Sequence, residues 1–502
     1  MVLKNLLEGV SVTKLHTALY GKMVQTQDLS IKDIRYNSRD VNAGDMFIAL
    51  RGTVVDGHNY IQDAIARGAI AIVLDDDRAV PDSLFSHSGV VKILVPNARL
   101  ALARISANFY RHPADRLNLL GVTGTNGKTT TTYLLKSIFE TRGEIVGLIG
   151  TIEYHVGQKV VAATHTTPES ADLNRIFAEM IDAKCNRAVM EVSSHALAMH
   201  RVEGMKFRTA IFTNLTQDHL DFHSNMDDYL RAKRRLFENL EPDAIAVVNI
   251  DSPYGRRILE GCRATVITYG KSKEADICGT QVSMSLSGCR FTVTYDGNHV
   301  EVQSPLTGQF NVSNILAAFA SGIGQNVDPA TIIEGIKKLK AVRGRFEQIV
   351  SPRGWTAIVD YAHTPDALEN CLRAVRQLVP LGDQKRLITV FGCGGNRDRA
   401  KRPLMGQIAS LFSDITFVTS DNPRHEDPHK IIEEILQGTA KNKDVRVIPD
   451  RRAAINAALG LARTGDVILI AGKGHETYQI VGDERQKFDD RLEVETFIRG
   501  KI

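Results

Sequence analysis

"LLGVTGTNGKTTTTYLL", residues 119–135, passes from an apolar run through a glycine loop into an amphipathic stretch. The apolar run reads as a buried strand and the stretch after the loop as a helix, with Gly143 as its stop signal. Between them lie Gly124, Thr125, Asn126, Gly127, Lys128, Thr129 and Thr130. Glycines let backbone N–H groups turn inward and approach phosphate oxygens, and a helix N-terminus adds partial positive charge. Lys128 is placed to reach β- and γ-phosphates, and the Thr129 or Thr130 hydroxyl to hold Mg²⁺. The spacing departs from G-x-x-x-x-G-K-[ST], because Val122 stands five residues before Gly127.

Working outward, strand-like runs alternate with helical stretches almost throughout: "MFIAL", "AIAIVL", "VVKILV", "RAVMEVSS", "TAIFTNL", "AIAVVNI", "TAIVDYA", "RLITVFG", "ITFVTS" and "DVILIAG". That alternation predicts parallel sheets covered on both faces. "CRFTVTYDGNHVEVQS", residues 289–304, instead alternates with period two around Asp-Gly-Asn and reads as a hairpin. Boundaries are expected near 112–117 and 342–347, giving three domains, within the two to four that a length of 502 residues suggests.

Composition narrows the class. Hydrophobic residues make up 43% and charged residues 24%, as in soluble globular proteins. Lys and Arg total 62 against 58 Asp and Glu, with no basic run, which argues against a nucleic-acid binder. Six cysteines without a C-x-x-C pair are expected to be reduced thiols in a cytoplasmic protein. The N-terminus shows no export signal, and the longest apolar runs are strand-sized, so no membrane insertion is expected.

Two clusters carry further chemistry. Glu191 ends one strand run, while Asn214, Asp218, His219, Asp221 and His223 follow the next. In open parallel sheets, ligands bind at the carboxyl ends of strands, so these residues are expected to face the same edge as the glycine loop. A carboxylate and an imidazole there suit a metal beside phosphates. In "TSDNPRHEDP", residues 419–428, a strand run ends in a turn carrying Arg424 after Asp421, Asn422 and Pro423. The turn is either a solvated loop or a dock for a carboxylate. Lys233, in the basic helical stretch 227–237, reads as a solvated lysine.

"GTNGKTTT", "EVSSHAL", "TNLTQDHLDFH", "FNVSNILAA", "GRFE", "DYAHTPDALE", "FGCGGNRDRAKRP" and "AGKGHE" occur in one order, and together they resemble the Mur ligase family from about Asn37 to the C-terminus. The resemblance implies three α/β domains: an N-terminal nucleotide-sugar-binding domain (1–114), a central P-loop parallel-sheet ATPase domain (115–344) and a C-terminal Rossmann-like amino-acid-binding domain (345–502). It implies an ATP-dependent ligase using Mg²⁺ in cytoplasmic peptidoglycan precursor synthesis, acting as a monomer. The pattern is closest to the member that adds meso-diaminopimelate to UDP-N-acetylmuramoyl-L-alanyl-D-glutamate. L-lysine addition within the family, or a P-loop ATPase switch, are the alternatives.

The same resemblance implies site residues. Lys128, Glu191, His219, Lys233 and Arg345 would be catalytic, with Thr129, Glu191, His219 and a carbamylated Lys233 at the metal. Asn311, Asn314, Asp360 and His363 would join the glycine loop around ATP, with Phe310 standing where the family usually has histidine. Tyr36 and Ser38 would hold the sugar nucleotide on the first domain, with Thr53, Val54 and Val55 in its uridine-side loop. His165, Thr166, Thr167, Ser193, Met199 and Arg201 would hold its muramoyl-peptide side, His165 and Met199 departing from the usual Asn and Gln. Arg397, Asp421, Asn422, Pro423, Arg424, Gly472 and Glu476 would take diaminopimelate, its distal carboxylate on Arg424 and its distal amine on Asp421 and Asn422. A site built for that carboxylate rejects L-lysine, on the order of 10⁴-fold.

Overall fold

In the computed structural model, which describes residues 1–500 apart from 20, 21, 24, 53, 54, 220, 221 and 381–383, three large sheets follow one another along the chain. The architecture is three-domain α/β. Every strand-like run named from the sequence forms a strand, and residues 288–304 form the expected hairpin, Gly288–Tyr295 against Asn298–Ser304.

The central sheet places the chemistry. It has eleven strands, of which seven neighbours run parallel: Val146–Ile149, Arg187–Glu191, Asn118–Thr123, Phe207–Phe212, Ile245–Asn249, Thr265–Gly270 and Ile277–Ser285. Asn118–Thr123 lies in the middle, so the glycine loop leaves the sheet between the ends of the Glu191 strand and the Phe212 strand. Its side chains alternate between two apolar layers. Leu119, Met190, Ala210 and Phe212 pack on one face, and Leu120, Val122, Val189 and Ile211 on the other. Such two-sided burial explains the unbroken apolar runs. Helix Lys128–Thr141 covers the second face together with helix Gln309–Gly324, whose Val312, Ile315, Leu316 and Phe319 are fully buried.

The flanking sheets are smaller. Residues 14–94 contribute five strands, parallel except for Lys14–His16 at one edge. Residues 347–447 and 467–471 contribute six, in the order Glu347–Val350, Thr356–Asp360, Val467–Ala471, Leu387–Phe391, Ile415–Val418 and Asp444–Val447. Their carboxyl ends carry Asp360, Gly472, Gly392 and Thr419, so the DYAH, AGKGHE, GGNRD and DNPR segments meet along one rim. Among the described residues, no helix is long and apolar enough to cross a membrane, and all six cysteines are free thiols.

Candidate active site

The glycine loop is shaped by two close approaches. Gly124 (φ +150°) leaves room for the Thr213 hydroxyl, which a Cβ at that position would overlap. Gly127 (φ +86°) leaves room in the same way for the Asn314 amide oxygen. Side chains on both positions would clash, and Gly127 also sits in the region that L residues avoid. Asn214 Oδ1 accepts from Asn126 N at 2.9 Å and fixes the loop to the neighbouring strand end.

A cavity of about 320 Å³ opens over this loop. Lys128, Thr129, Glu191, His219 and Asn314 line it from the central domain, and Arg345, Asp360 and His363 from the segment that follows. The sequence-level grouping of Glu191 and His219 with the loop therefore holds in space. Asp218 and Asn214 also line it. His223 is buried and bonds Ser194 Oγ at 2.9 Å, away from the cavity lining, while Asp221 lies outside the described residues.

Two ammonium groups sit beneath the loop. Lys128 Nζ donates to the carbonyls of Gly124 (3.0 Å) and Thr125 (2.8 Å). Lys233 Nζ donates to the same Gly124 carbonyl at 2.9 Å. Lys233 is 1% exposed, which corrects its reading as a solvated lysine. Burial pushes the pKa of both lysines below the usual lysine value, that of Lys233 well below, where the Lys128 charge adds to the effect. Burial likewise pushes His219 down to about 4, against the opposing pull of Asp218. Glu191 accepts from Thr151 N (2.8 Å) and Thr151 Oγ1 (3.0 Å). Thr151 is a lining residue that no motif indicated.

One expected contact is a layer deeper than its motif suggests. Asn311 does not line the cavity; it donates to Thr307 O (2.8 Å) and accepts from Asn314 (3.0 Å), so it orients Asn314. Both Asp360 oxygens accept backbone N–H bonds, from Phe346 (2.6 Å) and Ala362 (2.7 Å). Phe310 packs on Phe346, ring centres 5.4 Å apart, in the place of a hydrogen-bonding histidine. Arg345 bridges the segments by donating to Thr129 Oγ1 at 3.2 Å, with its guanidinium over the Tyr361 ring. Asp366, which no motif reading singled out, accepts from Asn126 (2.8 Å) and Thr216 (3.1 Å), tying the glycine loop to the C-terminal domain.

Of the sugar-nucleotide residues, Thr166 and Ser193 line the cavity, whereas Thr167 lies behind them, donating to Glu191 O at 2.8 Å. Arg201 donates to Glu169 (2.8 Å) and to Thr167 O (2.8 Å), and Met199 Sδ lies 3.7 Å from its guanidinium. Met199 thus supports Arg201 by a soft contact. His165 is held through its backbone, by the Tyr154 hydroxyl. Tyr36 donates to Asp172 at 2.5 Å, joining the first domain to the central one. Ser38 is buried in a short turn capped by Asn37, and Val55 is exposed. Thr53 and Val54 lie outside the described residues.

The turn at Arg424 is built, not solvated. Arg424 adopts φ +52°, and its backbone N–H and C=O join Ile480 and Gly482. Its guanidinium donates to Gly395 O at 2.8 Å and, among the described residues, makes no ion pair. Burial and the nearby Arg397 charge push its pKa below the usual arginine value. Gly394 lies where a Cβ would be 2.9 Å from the Arg424 guanidinium and 3.9 Å from the Arg397 Cγ, so the stem of Arg397 passes beside Arg424. Gly472 comes similarly close to Asp421. The strand ends at Val418, and Pro423, in the turn beyond it, presents its carbonyl to Gly395. Asn422 is held within the rim: its amide donates to Glu476 and accepts from Ile480 N and Lys473.

A glycine loop beside acidic strand ends, closed over by a second α/β domain, defines an enzyme that uses a nucleoside triphosphate. Family models agree: the Mur ligase family catalytic domain matches residues 30–110, the Mur ligase middle domain 122–322, and the Mur ligase glutamate ligase domain 344–474. The UDP-N-acetylmuramoyl-L-alanyl-D-glutamate–2,6-diaminopimelate ligase of Solibacter usitatus is 44% identical over 499 residues, spanning 99% of this chain and 98% of its own. Its namesake in Geobacter metallireducens is 44% identical over 493 residues, spanning 94% of each chain. A solved structure of a ligase of that name superposes with a TM-score of 0.67 at 30% identity, covering 95% of this chain and 96% of the other. The chain belongs to the Mur ligase family. It is an ATP-dependent ligase that forms an amide bond.

Proposed function

We propose that this ligase joins meso-diaminopimelate to the D-glutamate γ-carboxylate of UDP-N-acetylmuramoyl-L-alanyl-D-glutamate, as a cytoplasmic monomer with domains at 1–114, 115–344 and 345–502. The observation that carries the choice of acceptor is Arg424. Its guanidinium is half-buried on a shaped turn, beside Arg397, and among the described residues its hydrogen-bond partners are the carbonyl oxygens of Gly395 and Asn422. A guanidinium fork matches a carboxylate bidentately, and L-lysine has no distal carboxylate to offer.

The chemistry follows from the cavity. Backbone N–H groups of the glycine loop and the Lys128 ammonium hold the triphosphate. An oxygen of the substrate γ-carboxylate attacks the γ-phosphorus, and ADP leaves. The acceptor amine then attacks the acyl carbon, phosphate leaves and the amine gives up a proton, so the new C–N bond replaces the C–O bond of the acyl phosphate. Thr166, Ser193 and Arg201 orient the muramoyl peptide, and Tyr36, Ser38 and Val55 the nucleotide end. Arg345, with Asn314 and His363, completes the ATP site from across the cavity, and its bond to Thr129 keeps the two walls together.

The donor set fits Mg²⁺: the Glu191 carboxylate and Thr129 hydroxyl are hard oxygen donors in one cavity, with the His219 imidazole beside them. Among the described residues, no three His, Cys, Asp or Glu side chains converge on one point, so phosphate oxygens and a carbamate on Lys233 would complete the shell. Lys233 suits that modification, because burial favours its neutral amine, the form that adds CO₂. When bound, the ion supplies charge neutralisation at the phosphates.

The test is phosphate release from ATP with UDP-N-acetylmuramoyl-L-alanyl-D-glutamate and either meso-diaminopimelate or L-lysine. Release with diaminopimelate and almost none with lysine is expected. Equal turnover with lysine would discard the role given to Arg424.

A further inference from the structure

Lys473 lies between Gly472 and Gly474 in the AGKGHE segment, and its side chain is fully buried. Its ammonium donates to Asn422 Oδ1 at 3.0 Å and to Glu476 Oε2 at 2.9 Å, and it stands 3.7 Å from Asp421 Oδ1. These three partners come from two loops, one after strand Ile415–Val418 and the other after strand Val467–Ala471. The loops leave strands that are not adjacent, since Leu387–Phe391 lies between them. The ammonium therefore cross-links two segments whose backbone pairing is confined to the bridge of Arg424 with Ile480 and Gly482, beyond the buried lysine.

The bonds leave Asn422 little freedom. Lys473 can only donate, so the amide oxygen must face it, and that oxygen also accepts from Ile480 N at 2.9 Å. The amide nitrogen is thereby turned to Glu476 Oε2, at 2.9 Å. One Glu476 oxygen is thus fixed from two sides, by Lys473 and by Asn422. The backbone reinforces this arrangement, since Glu476 N donates to Lys473 O at 2.9 Å. A buried ion pair is weak evidence for stability, because desolvation offsets much of the attraction. One acid would have sufficed to satisfy this lysine; instead it engages an amide and two acids that flank Arg424.

We propose that Lys473 is a positioning residue for the acceptor: it locks Asn422 and Glu476 into one geometry, so that the acids beside Arg424 meet the ammonium of the incoming amino acid. The proposal rests on the reading of this rim as the amino-acid site. Arg424 would sort acceptors by their distal carboxylate, while Lys473 would set affinity for any acceptor carrying an amine.

A double-mutant cycle on the full-length enzyme tests it, with KM for meso-diaminopimelate and KM for ATP read by phosphate release. Lys473→Met should raise the acceptor KM on the order of 30-fold and leave the ATP KM within about twofold. In a Glu476→Gln background the same change should cost only about threefold, because the bond it removes is already weakened. Strictly additive effects, or an equal rise in ATP KM, would overturn the role. Should Lys473→Met alone fail to fold, the double variant retains neither charge of the 2.9 Å pair, and the comparison is made between its acceptor KM and that of Glu476→Gln. A ratio near threefold then supports the role, and one near 30-fold overturns it. The acceptor assignment is tested separately: wild-type enzyme that ignores diaminopimelate refutes that assignment, and the cycle is then run with whichever amino acid drives release.

Discussion

In the nucleotide cavity, Lys128 and Lys233 both donate to backbone carbonyls of the glycine loop; along the acceptor rim, Lys473 donates to the side chains of Asn422 and Glu476. The first region is shaped by backbone, with glycines admitting the Thr213 and Asn314 side chains, and it handles a ligand group common to every triphosphate. The second is shaped by side chains, and it must tell one amino acid from another. Backbone geometry gives a general phosphate cradle, whereas a network of polar side chains gives selectivity.

The sharpest way to break this contrast is at Lys233. If its buried amine serves the phosphate region as a carbamate, Lys233→Ala should lower ligation on the order of 10³-fold for every acceptor alike, as expected when a group acting on the transition state is lost. Short carboxylic acids added to the assay should restore part of the activity. Absence of any rescue would leave the lysine with a packing role only.

At the rim, the expected loss is smaller and selective. Arg424→Ala should lower kcat/KM for meso-diaminopimelate on the order of 10²-fold while leaving KM for ATP unchanged, because its guanidinium is bonded to Gly395 and not to the glycine loop. The preference for diaminopimelate over lysine should shrink with it. A parallel loss of ATP affinity would mean that the two regions are one network.

Asp366 joins the regions. It accepts from Asn126 and Thr216 across the boundary between the central and C-terminal sheets. Asp366→Ala should raise KM for ATP by about fivefold with a smaller change for diaminopimelate, since the contact costs one charge-assisted bond to the loop. The reverse pattern would place Asp366 with the acceptor.

Legibility divides along the same line. The parallel strands of all three sheets are readable because burial on both faces leaves continuous apolar runs such as "AIAVVNI" and "DVILIAG". Edge strands are not: Lys159–Ala162 is exposed throughout and Glu484–Lys487 is wholly polar in composition, so neither carries a burial signature. The glycine loop is readable because its backbone demands fixed residue types. Lys473 is not, because a lysine between glycines looks solvated until the fold brings the 421–422 turn over it. The motifs assign Asn311 to ATP, but its side chain bonds Asn314 and Thr307 and stands behind the cavity lining. A motif records that a residue matters; only packing shows which layer it occupies.

His475 offers the smallest effect and a different kind of test. Its ring packs against Tyr361, centre to centre 5.0 Å, and its Nδ1 has no partner among the described residues. Burial, with the Arg345 and Arg343 charges, pushes its pKa down to about 3. In the unfolded chain an imidazole takes up its proton near pH 6.5. Between those values the unfolded state holds more protons than the folded one, so stability falls as pH falls through this window. Above pH 6.5 both states are neutral and the group contributes no pH dependence. His475→Gln removes the titration, and the drop in melting temperature from pH 7 to pH 5 should shrink by about 2 °C relative to wild type. An unchanged drop would show that the imidazole ionises in the folded enzyme as it does in water, and that the rim beside Tyr361 is wetter than its packing indicates.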